Sequence, residues 1–453
     1  MGAGASILIF SVAIVLMIVA IARWKVHPFV AIITTALLLA IVMGIKLDEV
    51  PTVVGNGFAS IFNSIGLVII FGTMIGKVLE VTGAAVAMAR AVERTVGRRH
   101  PRLAMMLIGW IVSIPVFCDS GFVLVNPIGR SLAQRTGKPE VSLTLALAAG
   151  LFAAHVFIPP TPGPVAAAGM TGLEGHLLLV VLVGAAVSVF ALLPAYWFSG
   201  RIARSVTAEE THDEGVGEAE PTDEVPRISA FMAFLPIVVP VVLMALGSVA
   251  RLVSLPEGLS RVLVFLGMPV IALMVAVVCC IPLLTRRKML SRSYQFTQEA
   301  LATAGPIIFI TAAGAVLGNV MSASGFVDVI KGLGTQMPAM GVLLPFLIAA
   351  ILKSAQGSST VAITTTASMM GMFSNAGSLM ASMGFTTPLA ATLVVMAIGA
   401  GAMTVSHAND SYFWVVTGLG GIKPRDGYRT MTLMTLLMGL ASLAALLLAT
   451  LLL

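Results

Sequence analysis

The sequence predicts an all-α polytopic membrane protein built as two repeats of inverted topology. Each repeat has about five spans, one of them broken, and one re-entrant hairpin. Three observations predict this. Of 453 residues, 58% are hydrophobic and 10% charged, and the mean hydropathy is +1.03, whereas soluble domains carry roughly 25% charged residues. Apolar runs near the ~20 residues that span a bilayer recur along the chain, as at 5–22, 177–194 and 430–453. Polar or proline-bearing breaks interrupt these runs in the same order in each half.

Repeat 1 covers 1–199. Its first apolar run precedes the first cation, Arg23, which argues for a retained helix over a cleaved leader. Met1-Gly2 to Ser6 fits a myristoylation pattern, but an acyl anchor adds nothing to a chain with many spans. Arg90, Arg94, Arg98, Arg99 and Arg102 precede the stretch VFCDSGFVLVNP (116–127), and Arg130, Arg135 and Lys138 follow it. Positive charge marks the cytoplasmic side, so a segment so flanked is not a single span. Residues 103–129 read as a hairpin, broken at Pro115, Gly121 and Asn126-Pro127. A helix over about 141–173 follows, interrupted at Ile158-Pro159-Pro160-Thr161-Pro162-Gly163-Pro164. Trp24 and Tyr196-Trp197 sit at span ends, where amphipathic rings prefer the interface.

Residues 205–226 hold eight acidic residues and no Lys or Arg, a composition that cannot form a core. We read 200–227 as an acidic cytoplasmic linker, a spacer between the halves. Repeat 2 covers 228–453. Gly72, Gly76 and Gly83 share their spacing with Gly314, Gly318 and Gly325, offset by 242 residues. The second hairpin, about 341–373, has charge-free flanks, as the outer face expects. A broken helix over about 388–422 is interrupted at Ser406-His407-Ala408-Asn409-Asp410-Ser411. Arg23/Lys25, Arg201/Arg204, Arg286/Arg287/Lys288 and Lys423/Arg425 then all fall inside. Only the loop carrying Arg251 and Arg261 breaks the rule.

Opposed repeats with broken helices meeting near the midplane signal a secondary transporter. Backbone freed by a break is tolerated only where protein or water satisfies it, and inward helix N-termini suit an anionic substrate. Ser120 and Gly121 in one hairpin, and Gly357-Ser358-Ser359-Thr360 in the other, are expected to bind it. Hydroxyls there donate to a carboxylate and bond sugar hydroxyls; equally, Ser and Thr pack membrane helices. Asp119 is either a buried structural carboxylate or a proton carrier, since intramembrane ionisable groups are expensive and usually functional. Lys353 either contacts the substrate carboxylate or pairs with an acid. His155 and His407 titrate near physiological pH and are candidate relays, or packing residues. Asn409 and Asp410 lie on an unwound segment facing the site, Asn409 to bond sugar hydroxyls and Asp410 as runner-up to Asp119 for the proton, with Thr161 and Ser406 as further hydroxyl partners. Lys77 and Glu80, at i,i+3, are expected to pair. Cys118, Cys279 and Cys280 show no metal or disulfide spacing, and the 26 methionines are explained as flexible filling. No cofactor is indicated. The pI near 9.5 reflects basic loops, and nucleic-acid binding is not indicated; the lipid bilayer is the expected surrounding partner.

FGTMIGKVLEVTGAA, IPVFCDSGFVLVNPI, AAHVFIPPTPGPVAAA and KSAQGSSTVAITTTASM together resemble the gluconate permease family of bacterial proton symporters. The likeness runs end to end except for the acidic linker. It implies a bacterial inner-membrane carrier for gluconate or a similar small hydroxy acid, driven by proton symport, with relatives that take up idonate, related sugar acids or D-serine. The family's hairpin residues fall on Asp119, Ser120 and Gly121, and on Ser358, Ser359 and Thr360. Within transport, sodium coupling and a D-serine substrate stay open. From another class, an intramembrane hydrolase using Ser358 or Ser359 with Lys353 as base stays open, and nothing forms the ring of groups a channel needs. Transporters of this shape often form homodimers, but no interface is legible here.

Overall fold

Proline marks many of the helix starts, although Pro127, Pro194, Pro306 and Pro345 lie inside continuous helices. Pro28, Pro101, Pro162, Pro269 and Pro388 each occupy the first positions of a helix, where a missing N–H costs nothing. The computed structural model describes residues 3–97, 99–203, 205–206, 228–252, 256–324, 338–407 and 410–452. These residues form helices joined by turns, with no strand among them. Most of the linker expected over 200–227 lies outside the described residues. Among the described residues, six helices are long and apolar enough to cross a bilayer, or seven if the pair Leu67–Val81 and Ala84–Gly97, bent by 74°, counts as one. Other apolar helices, such as Pro28–Val42, Pro101–Val112 and Pro388–Met403, run 12 to 16 residues, short of the ~20 a crossing needs.

Four interruptions shape the interior. The Pro101–Val112 helix ends before Pro115, and the Cys118–Thr136 helix starts just beyond, because proline cannot continue a helical hydrogen-bond ladder. Ser113 steadies the turn by donating to the Val116 carbonyl at 3.1 Å. Glu140–Phe157 gives way to Pro162–Met170 across Pro159-Pro160, whose peptide bond is cis. Pro338–Gln356 gives way to Ser359–Met370 at Gly357, where φ is +90°, a backbone region that glycine enters without steric penalty. Finally, Pro388–Met403 gives way to Ser411–Leu419.

The Glu140–Met170 span sits at the centre, and its whole apolar window is buried; the Glu174–Ile202 span is 39% buried and turns Leu182, Phe190 and Leu193 outward. In water that outer surface would be a liability, whereas in lipid it is the expected one.

Close helix approach here depends on glycine, as in membrane bundles generally. Gly150 packs against the Met106 carbonyl and Gly109 against the Leu147 carbonyl, each so close that a Cβ would overlap the oxygen. Gly76 backs onto the Pro115 carbonyl and Gly72 onto the Pro160 carbonyl, while Gly314 and Gly318 both meet Ser368. The paired glycines thus lie against interrupted backbone in one half and against the Ser359–Met370 helix in the other.

Gly150→Ala should therefore lower the melting temperature in detergent, by the ~1–3 kcal/mol typical of overpacking. Gly175→Ala should not, because Gly175 is exposed and a Cβ there meets nothing within 4 Å. Thermal unfolding of the two variants side by side checks this.

Candidate functional site

Three of the interruptions deliver helix N-termini to one cavity of about 430 Å³. The Cys118–Thr136 helix brings Cys118 and Asp119, the Ser359–Met370 helix brings Ser359 and Thr360, and the Ser411–Leu419 helix brings Ser411 and Tyr412. The first N–H groups of a helix have no partner within it, and with the helix dipole they favour negative charge. Gly357 and Ser358 complete the second tip. Ser358 caps its helix by accepting from the Val361 N–H at 3.3 Å. Phe117, Phe152 and His155 form part of the wall, and Pro306, Ile307 and Ile310, from the Ser293–Ala323 helix, supply an apolar side.

Beside the cavity lies a fully buried ion pair. Lys353 Nζ is 2.6 Å from Asp410 Oδ2 and donates to the Gly357 carbonyl at 2.5 Å; the two residues are 1% and 4% exposed. Asp410 Oδ2 also accepts from Ser406 Oγ at 2.5 Å, and Oδ1 accepts from the Tyr412 N–H at 3.1 Å. The carboxylate thus caps the Ser411–Leu419 helix and is satisfied on both oxygens, as burial of a charge demands. Tyr412 is held in turn by its hydroxyl, which donates to the Ala148 carbonyl at 3.0 Å. Of the two roles open to Lys353, the geometry has the pairing one.

Asp119 differs. It hydrogen-bonds the Ser411 side chain, yet its Oδ1 is buried without a partner among the described residues. His155, fully enclosed and 5.9 Å from the Phe117 ring between centroids, likewise has an unpartnered Nδ1.

Asp119, His155, Ser358, Ser359, Thr360 and Asp410 meet at the cavity. Ser120 and Gly121 start the same helix as Asp119 but are not on the wall, and the Cβ position of Gly121 points at Leu151. Thr161 is buried and turns its hydroxyl to the Ile158 carbonyl at 2.5 Å, satisfying its own break. His407 is off the wall, within 3.2 Å of the Ser354 carbonyl. Asn409 lies outside the described residues. Lys77 is 3.7 Å from Glu80, but its shorter contact, 2.9 Å, is to Glu299 on a distant helix. Ser411, Tyr412 and Phe152 are wall residues that the residue pattern alone does not single out. Phe152, three residues before His155 on one helix, had a detectable signal in that spacing.

Comparison with known proteins is consistent along the whole chain. The family model described as "GntP family permease" matches residues 5–452. The "Inner membrane permease YgbN" of Escherichia coli is 32% identical over 444 residues, covering 94% of each chain. The "Gluconate permease" of Zymomonas mobilis is 30% identical over 451 residues, covering 97% of each. Among solved structures, the Alcanivorax borkumensis YdaH transporter, described as having an unusual topology, superposes with a TM-score of 0.60 at 14% identity, over 94% of this chain and 98% of that one. At that identity the likeness concerns the fold.

The buried pair predicts a non-additive stability pattern. Lys353→Met strands a buried carboxylate and should cost ~3–5 kcal/mol, whereas Lys353→Met with Asp410→Asn should recover much of the loss. Thermal unfolding of the single and double variants in detergent measures the coupling.

Proposed function

The chain belongs to the GntP permease family, and on that premise we propose that it imports a small hydroxylated monocarboxylate, gluconate foremost, by proton symport. It is a permease of the bacterial inner membrane, not an enzyme. The observation that carries the finer reading is the pairing of helix N-termini with an unpartnered carboxylate oxygen on one cavity. The substrate carboxylate sits at the amides and hydroxyls of Ser358, Ser359 and Thr360, and its hydroxyls meet Ser411 and Thr364. A cavity of about 430 Å³ lies within the range of roughly 300–1,000 Å³ usual for small-molecule sites.

Asp119 carries the proton. An ionised Asp119 and a bound carboxylate repel each other at short range, and protonating Asp119 removes the repulsion. Proton and substrate therefore favour each other's binding, and that favour is reciprocal. The two halves act as inverted repeats whose hairpin tips, about 103–129 and 341–373, exchange access to the cavity between the two sides. His155 is the second candidate for the proton, because its unpartnered nitrogen lines the same cavity.

Uptake of labelled gluconate into proteoliposomes under an inward proton gradient, in sodium-free buffer, tests this. Accumulation above equilibrium that a protonophore abolishes is expected, with competition by unlabelled idonate, D-serine and succinate ranking the substrates. A sodium requirement, or equilibration alone, would overturn the coupling. Asp119→Asn should lose uphill accumulation while keeping gluconate exchange; if it still accumulates, Asp119 is a structural carboxylate. Ser358→Ala and Ser359→Ala should each raise KM about 5- to 10-fold, as loss of a hydrogen bond worth ~1–1.5 kcal/mol implies.

A further inference from the structure

A second cavity, of about 350 Å³, opens far from the first, between the start of the Pro101–Val112 helix, the start of the Glu140–Phe157 helix and the end of the Leu177–Ile202 helix. Its wall carries Arg99, His100, Arg102 and Lys138, and no carboxylate among the described residues. The acid nearest in sequence, Glu140, is spoken for by Arg130 at 3.1 Å. Arg102 is held in place: its guanidinium carbon stands 4.0 Å from the Tyr196 ring centroid, and it fills space that any side chain at Gly200 would take. Its Nε is nonetheless buried with no hydrogen-bond partner among the described residues. A fixed cation whose donor no described residue uses, ringed by further cations, suits an anion.

The depth of the cavity says which anion. Tyr196 lines it, and the adjacent Trp197 is 57% exposed with the Arg201 guanidinium 4.5 Å from its ring centroid. Such rings settle at the headgroup level of a bilayer. The basic loops on both sides of the cavity belong to the cytoplasmic side by the same charge rule. We propose that this cavity binds the phosphate group of an anionic phospholipid headgroup in the inner leaflet. The planar guanidinium of Arg102 matches two phosphate oxygens, Arg99 and Lys138 neutralise the remaining charge, and basic pockets between helices on this face bind such lipids elsewhere. Because the site joins the helix before the first interruption to the central span, an occupied site braces the scaffold of the transport cavity.

The test is thermal unfolding of the full chain in detergent supplemented with phosphatidylglycerol, with cardiolipin, with phosphatidylcholine or with millimolar inorganic phosphate. The two anionic lipids should raise the melting temperature by several degrees over phosphatidylcholine. That increment should vanish in Arg99→Gln/Lys138→Gln, whose two side chains are exposed and whose replacement leaves packing intact. It should persist in Lys46→Gln/Arg261→Gln, which removes two exposed cations elsewhere. Equal melting in all lipids would overturn the site, as would an increment that survives the first pair or is lost with the second. An equal increment from inorganic phosphate would overturn the lipid as its source.

Discussion

Every backbone amide and carbonyl that a break in a helix sets free must find a partner inside this protein, because hydrocarbon offers none. That constraint accounts for several of the buried polar residues in an otherwise apolar chain. At the 404–410 interruption, the Ser406 N–H is taken by Thr435 Oγ1 at 3.0 Å and the Ser406 carbonyl by Thr432 Oγ1 at 2.6 Å, both from the last stretch of the chain. Neighbouring Val405 holds φ at +60°, a region that a β-branched side chain enters only with strain of order 1–3 kcal/mol. The surrounding bonds over-determine that conformation. At the 158–161 interruption Thr161 serves its own turn, and at the Pro115 interruption Ser113 does. At the cavity, Asp119 Oδ1 and His155 Nδ1 have no partner among the described residues.

The same constraint explains the buried lysine. An ammonium near the middle of a membrane protein is expensive unless paired and hydrogen-bonded. Lys353 does three jobs at once: it neutralises Asp410, satisfies the Gly357 carbonyl, and thereby ties the end of the Pro338–Gln356 helix to the start of the Ser411–Leu419 helix. Glycines do the complementary work of proximity. Gly72 and Gly76 let one helix lie directly against both first-half interruptions, so the broken segments are held from behind as well as from within.

Much of this was legible in the residues themselves. The breaks at Pro115, Pro159-Pro160 and Gly357 follow from proline and glycine, whose effects are local and therefore visible in a linear chain, whereas the breaks expected at Gly121 and Asn126-Pro127 do not occur, because the Cys118–Thr136 helix runs through both. The meeting of Asp119, Ser358–Thr360 and Asp410 follows from the logic of interrupted helices. What the sequence could not reveal was direction. Ser120 and Gly121 sit beside Asp119 in the chain, but on a helix neighbouring side chains diverge by about 100°, and of these three Asp119 alone lines the cavity. Thr161 reads as a site hydroxyl until its carbonyl partner three residues back is seen. Ser411 closes the expected interruption and Tyr412 lies just beyond it, and the helix that Asp410 caps places both on the cavity wall. Long-range pairings such as Lys77 with Glu299 have no signature in spacing at all.

The two acidic residues of the cavity have unlike surroundings. Asp410 is matched by Lys353 and contributes no net charge; Asp119 has no ion-pair partner among the described residues. Under the proposed mechanism the empty cavity with Asp119 ionised carries one negative charge. The loaded cavity, with Asp119 protonated and a carboxylate bound, carries one as well. Reorientation in either state then moves the same local charge through the same low-dielectric surroundings, where the energy of an unmatched charge is large. Neither the inward nor the return step bears a desolvation penalty that the other lacks. A cavity holding the anion with Asp119 still ionised would carry two negative charges and be disfavoured on that ground alone. Charge balance at this one site thus disfavours movement of the anion without its proton.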